Sequence, residues 1–247
     1  MQSVSSIQFS SISHNSNCRF VCTRNSLNMN AGIAVPLRTY ISSEDPGVDC
    51  MIWDAARATS AAPNFFKGMK IGSQIYIDGG MGLNNPIQCL LKETVQVFPN
   101  HHVSCIISIG TGKGDTIALP KQSFLQRNFI PTDVIRAIQG IATDCEKEHE
   151  QVMHRFANTS NVYFWFNVEQ GMQSVSLSDW EKLANVEAHT SNYLGLEQVM
   201  GNLSAAVDAL HAGAKMVPTS QLSMLLLKLF TGDNDILSLV AGVVPPR

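Results

Sequence analysis

The stretch IYIDGGMGLNNP, Ile75 to Pro86, narrows the folds open to this chain more than any other. Ile75, Tyr76 and Ile77 read as a strand that ends in an acid, Asp78, followed by a double-glycine turn and the start of a helix. A strand that delivers a carboxylate to the end of a sheet and turns at once into a helix is the basic unit of α/β architecture, and such ends often carry chemistry. Gly79, Gly80 and Gly82 permit positive φ and close approach of a second backbone or a substrate. Asn85 is suited to cap the next helix, with Pro86 at its first position, where a missing N–H costs nothing. An ordinary strand-to-helix turn with an Asx cap has the same pattern, so this stretch alone does not decide between chemistry and structure.

The flanking segments supply the rest of an α/β domain. Arg19–Thr23 and Ile33–Ile41 read as two strands, and Pro36 places the second at an edge or a bulge. The segment 48–62 is helical by composition, with Ala55, Ala58 and Ala62 forming a face small enough for close packing; Pro63 ends it. Ile87, Leu90, Leu91, Thr94 and Phe98 mark an amphipathic helix. VSCIISI, Val103 to Ile109, is apolar on both faces, as in a strand buried between helices. Strand, helix and strand in this order imply a right-handed βαβ crossover. A long helical region is expected over 132–158. Val162, Phe164, Phe166 and Val168 alternate as in a half-buried strand. Ser178 and Glu181 have capping-box spacing, and Leu196, Val199, Met200, Leu203, Val207 and Leu210 mark a further amphipathic helix. The expected division is a disordered Ser-rich leader over 1–18, a partial domain over 19–212 and an apolar tail over 213–247 holding a short helix.

Composition removes several function classes. A net charge of −3 gives no electrostatic basis for nucleic-acid binding. The longest apolar runs, Leu222–Phe230 and Ile236–Val244, are nine residues each, against about 20 needed to cross a bilayer. The 15% charged content is low, which suits a surface that meets lipid or a partner. Six cysteines without a CxxC, several in apolar runs, read as buried reduced thiols of an intracellular protein. The expected setting is cytoplasmic and peripheral to membranes; the Ser-rich start without an acid before Glu44 leaves a mitochondrial leader as the alternative.

Other candidate sites are weaker. In GTGKGD, Gly110 to Asp115, the lysine precedes the last glycine and Asp115 would repel phosphate, so it is not a P-loop. His149 and His154 are five apart, on different helix faces, and Glu146 to Glu150 reads as a solvated patch; no metal and no cofactor are expected. No serine has glycine at both the minus-two and plus-two positions, so the elbow of a serine hydrolase is missing; Ser108, with Gly110 after it but Ile106 before it, comes nearest.

WDAARATSAAP (Trp53 to Pro63), IDGGMGLNNP (Ile77 to Pro86) and ISIGTG (Ile107 to Gly112), in this order, resemble patatin-like phospholipases, particularly the fungal type. The resemblance runs from about Arg19 to Leu210. It implies a three-layer α/β/α fold and a Ser–Asp dyad that hydrolyses phospholipid or another acyl-ester lipid at a membrane surface. Asp78 matches the general base, with Gly79 and Gly80 completing the motif. Nothing matches the nucleophilic serine or its oxyanion loop, so the resemblance implies an incomplete fold, a C-terminal half inactive alone. A partner chain supplying the other half, or a noncatalytic module binding lipid or protein, is the alternative.

Overall fold

The computed structural model describes residues 6–11, 18–25, 34–42, 45, 47–62, 65–113, 145–176, 179–212, 216–222 and 236–242. In chain order the strands are β1 (Ser6–Ser11), β2 (Cys18–Asn25), β3 (Val35–Arg38), β4 (Met69–Ile71), β5 (Gln74–Asp78), β6 (His102–Ile109), β7 (Tyr163–Phe166), β8 (Val217–Pro218) and β9 (Ile236–Gly242). The helices are α1 (Ile52–Thr59), α2 (Gly80–Leu83), α3 (Ile87–Val97), α4 (Glu146–Arg155), α5 (Leu183–Leu194) and α6 (Glu197–Ala212). Among the described residues the strands form one mixed sheet in the order β4-β5-β2-β1-β9-β6-β7, with β3 on β2 and β8 on β6. The class is α/β, as expected.

The β6–β7 region is layered. Apolar side chains on both faces of β6 let helices cover each. Val103 and Ile106 meet Ile87, Leu90 and Leu91 of α3 and Val152 of α4 in the main core. Burial of each leucine there is worth about 1.5–3 kcal/mol. On the other face Cys105 and Phe164 meet Ala206 of α6, with Ala205 and Ala209 beside it. A smaller core joins α1 to the sheet through Ala58, Leu37, Ile71 and Tyr76, so the alanine face does seat α1 closely. This helix is shorter than the composition suggests: it starts at Ile52, where Asp54 accepts the Met51 N–H at 3.2 Å.

Several expectations change. β5 and β6 do not pair, because β2, β1 and β9 lie between them; the parallel partners of β6 are β7 and β9. The parallel βαβ relation therefore falls one step later, with α4 the described helix between β6 and β7. The Ser-rich start was expected to be a disordered leader, yet Ser6–Ser11 pair with both β2 and β9. Part of the expected tail, Ile236–Gly242, is likewise a strand beside β6. α6 forms where its periodicity places it, but rotated about its axis: of the expected face Val199 is buried and Leu210 packs against the cluster of Cys105, Phe164 and Ala206, whereas Leu196 just before the helix and Met200, Leu203 and Val207 on it are exposed. Ser178 of the expected capping box, the part of the helical region 132–158 before Cys145, and residues 223–235 of the tail, where a short helix was expected somewhere beyond Pro218, lie outside the described residues. Asp179 instead orders its turn, accepting from the Ser176 N–H and the Lys182 ammonium at 3.0 and 2.8 Å.

Candidate functional site

Asp78 is the last residue of β5 and is 5% exposed. Its N–H donates to Ala61 O at 3.1 Å, which ties the strand end to the turn after α1. One carboxylate oxygen accepts the Gly80 N–H at 2.9 Å, fixing the side chain over the turn. The side chain is thus covered rather than standing at an open rim. The glycines also act differently from the sequence reading: Gly79 has φ −68° and Gly80 opens α2, so neither needs a left-handed conformation. A Cβ on Gly80 would sit in ordinary contact, 3.5–3.6 Å, with the Asp78 carboxylate. Neither φ nor crowding against the acid therefore demands glycine at position 80.

α3 begins one residue later than expected, so its N-cap is Pro86, and Asn85 forms an Asx turn just ahead of it. The Asn85 side-chain oxygen accepts the Ile87 N–H at 3.2 Å, and its amide donates to Cys145 O at 3.3 Å. Asn85 is buried, so the turn that follows Asp78 is fastened to the start of α4. Ser108, the serine nearest the elbow pattern, is fully buried inside β6 and cannot present its hydroxyl on a sharp turn.

The start of α4 also forms the wall of a polar pocket that sequence reasoning missed. Its volume is about 110 Å³, and it lies beyond the C-terminal ends of the parallel strands β6 and β7, the usual ligand position in α/β sheets. Lys113, Glu146, His149 and Trp165 line it, with Asn167, Glu169 and Tyr193. The post-strand loops are laced together: Gly110 N–H donates to Phe166 O at 2.7 Å and Lys113 N–H to Val168 O at 2.8 Å. Asn167, itself buried, accepts the Gly112 N–H at 2.7 Å and donates to Glu146 at 3.1 Å. Gly112 has φ +114°, a conformation that favours glycine.

His149 stacks on Trp165, with ring centroids 4.9 Å apart and 16° between planes, and its Nδ1 lies 3.0 Å from the Tyr163 hydroxyl. Burial, the largest cause, lowers its pKa from the ordinary value near 6.5; the Glu150 carboxylate opposes this, and the Lys113 charge adds to it. The imidazole is therefore neutral at pH 7. His154, on the other side of α4, is exposed, as the five-residue spacing implied. The described residues include no group of three or more histidine, cysteine or acidic side chains placed to hold a metal. Cys50, Cys89, Cys105 and Cys145 are outside any disulfide. No helix among the described residues is long and apolar enough to cross a membrane.

A family model for patatin-like phospholipase matches residues 11–91, the segment that carries α1, β5 and Asp78. Over that segment the chain is similar to patatin-like phospholipases. Calcium-independent phospholipase A2-gamma of Mus musculus is 34% identical over 121 residues, which is 49% of this chain and 15% of that protein. Patatin-like phospholipase 1 of Plasmodium falciparum is 26% identical over 162 residues, 58% of this chain and 24% of that protein. Phospholipase A I of Arabidopsis thaliana is 34% identical over 65 residues, 26% of this chain and 5% of that protein. The chain thus spans less than a quarter of each of these patatin-like relatives. No solved structure matches it. The pocket beyond β6 and β7 lies outside the residues that the patatin-like family model covers.

Proposed function

We propose that the chain carries the general-base part of a Ser–Asp lipid acyl hydrolase, acting on phospholipid or another acyl-ester lipid at a membrane surface. Asp78 is the base, and Gly79 and Gly80 complete its motif. The supporting observation is that Asp78 ends β5 inside the matched segment, with its carboxylate oriented by the Gly80 N–H. In this chemistry a serine hydroxyl attacks the ester carbonyl while the aspartate takes its proton and passes it to the departing alcohol. Water, deprotonated by the same carboxylate, then attacks the acyl-serine and releases the fatty acid. No histidine intervenes. The serine in a G-x-S-x-G turn is not among these 247 residues, so a further segment or a partner chain must bring it to Asp78. The fungal-type assignment rests on the WDAARATSAAP and IDGGMGLNNP blocks, and the setting we propose is cytoplasmic and peripheral to the membrane. Purified chain assayed on phospholipid and short acyl esters should show no turnover above an Asp78→Asn control. Turnover that Asp78→Asn abolishes would mean that a serine of this chain is the nucleophile, and would overturn the division of labour.

A noncatalytic interaction module is the second reading. It is favoured by the exposed row Leu196, Met200, Leu203 and Val207 along α6, which a partner could cover. Co-purification with mass spectrometry tests it, and a compact monomer without a partner would count against it.

A further inference from the structure

We propose that the pocket beyond the C-terminal ends of β6 and β7 binds a compact ammonium–phosphate zwitterion, the chemistry of a choline-type phospholipid headgroup. The inference rests on the lipid reading above for the source of the headgroup, whereas the recognition chemistry comes from the pocket. Its size sets the first limit: a space of about 110 Å³, open to solvent where Lys113 and Glu169 are exposed, admits a headgroup-sized polar ligand that projects partly into water and is too little for an acyl chain.

Charge sets the second. Glu146 and Glu169 contribute two negative charges and Lys113 one positive charge, and the neutral His149 adds none. A lone anion is disfavoured by the excess of carboxylate. An ammonium alone leaves Lys113 without use, and a zwitterion satisfies both signs. The rings supply the third. Trp165 and Tyr193 line the same space, and aromatic faces together with carboxylates recognise quaternary ammonium groups by cation–π and Coulomb attraction. Stacking of a neutral imidazole on Trp165 backs the indole without placing a competing positive charge against the incoming cation. Asn167 holds Glu146 through its amide and Gly112 through its oxygen, while its own N–H lies 3.2 Å from the Tyr193 hydroxyl. The acid, the aromatic and the Lys113 loop are thus held by one buried side chain, and a site prearranged in this way binds with less ordering cost.

The test is titration of the whole chain with phosphocholine, followed by tryptophan fluorescence, beside glycerol 3-phosphate as an anion without the ammonium. Saturable binding of phosphocholine is expected, with glycerol 3-phosphate at least tenfold weaker. Glu169→Gln and Lys113→Met, both at exposed positions, should each weaken phosphocholine about tenfold with unchanged circular dichroism. Equal binding of the two ligands, binding indifferent to both substitutions, or none up to tens of millimolar would overturn the proposal. Co-sedimentation with phosphatidylcholine vesicles, competed by free phosphocholine, identifies the lipid as the source. Soluble binding without vesicle binding would refute that source. Phosphocholine carries no acyl ester, so these results are independent of Asp78: absence of binding removes the headgroup site alone, and turnover in the ester assay bears only on the division of labour at Asp78.

Discussion

A Cβ added to Gly110 would lie 2.3 Å from Oδ1 and 2.5 Å from Cγ of Asn167, far inside van der Waals contact. Gly110→Ala must therefore displace the side chain that holds the Gly112 N–H and Glu146. Overpacking costs about 1–3 kcal/mol, and each lost hydrogen bond adds about 1 kcal/mol or more, the one to the carboxylate at the upper end. Together they destabilise by roughly 3–5 kcal/mol, discounted for partial relaxation. Asn167→Ala removes the same bonds without a clash and leaves the buried Gly112 N–H unpaired, a loss of about 2–4 kcal/mol. In the double variant the obstructing amide is gone, so the alanine at 110 meets mainly the remaining Cβ of residue 167 at 3.0 Å. The double variant should then be close to Asn167→Ala alone, with a coupling of roughly 2 kcal/mol or more in the cycle. Equilibrium urea unfolding of the four proteins measures it. Losses that add to within about 0.5 kcal/mol would refute the view that Gly110 exists to make room for Asn167.

Two other perturbations read the scaffold and the pocket. Arg38 of β3 and Glu93 of α3 form a paired bridge at 2.5 and 3.0 Å, with both side chains 6% exposed and Tyr40 donating to the same carboxylate at 2.8 Å. Glu93→Gln should cost about 3–5 kcal/mol in urea unfolding, the penalty of an uncompensated buried charge; the second acid on Arg38, Asp45, is half exposed and offsets little of it. A loss under about 1 kcal/mol would mean that the bridge is effectively a surface pair. His149 is held neutral, so on acidification the unfolded chain takes up its proton first, near pH 6.5. Its contribution is present above that pH and is lost as the pH falls from there towards the lower folded value. Stability measured at pH 7.5 and 5.5 should drop less in His149→Gln, and an equal drop would remove the burial argument.

The sequence made the interior strands legible and the partnerships less so. VSCIISI could be recognised as a strand covered on both sides because apolar side chains on both faces leave no solvent side. The alternation around Phe164 was equally plain. α6 was legible as a helix, but its inward face was not. Leucine and methionine spacing marked one stripe, while the layer against Cys105 and Phe164 is built by Ala205, Ala206 and Ala209. β1 was hidden by its serines, although Ile7 and Phe9 alternate with polar residues as a strand would. ILSLVAG in β9 is a short apolar run whose periodicity does not separate strand from helix. Asp78 could be located because its signal is contiguous. The pocket could not, since Lys113, Glu146, Trp165 and Tyr193 come from separate segments, and the run from Glu146 to Glu150 has the pattern of a solvated surface.

The double grip of Asn85 has a mechanical consequence. A single amide works as a rivet: one end fastens the first turn of α3, the other the backbone just ahead of Glu146. Any shift of the acid-bearing turn relative to α4 must shear that rivet and strand its polar ends away from water. The spacing between the proposed base and the pocket wall is therefore set by a side chain that belongs to neither.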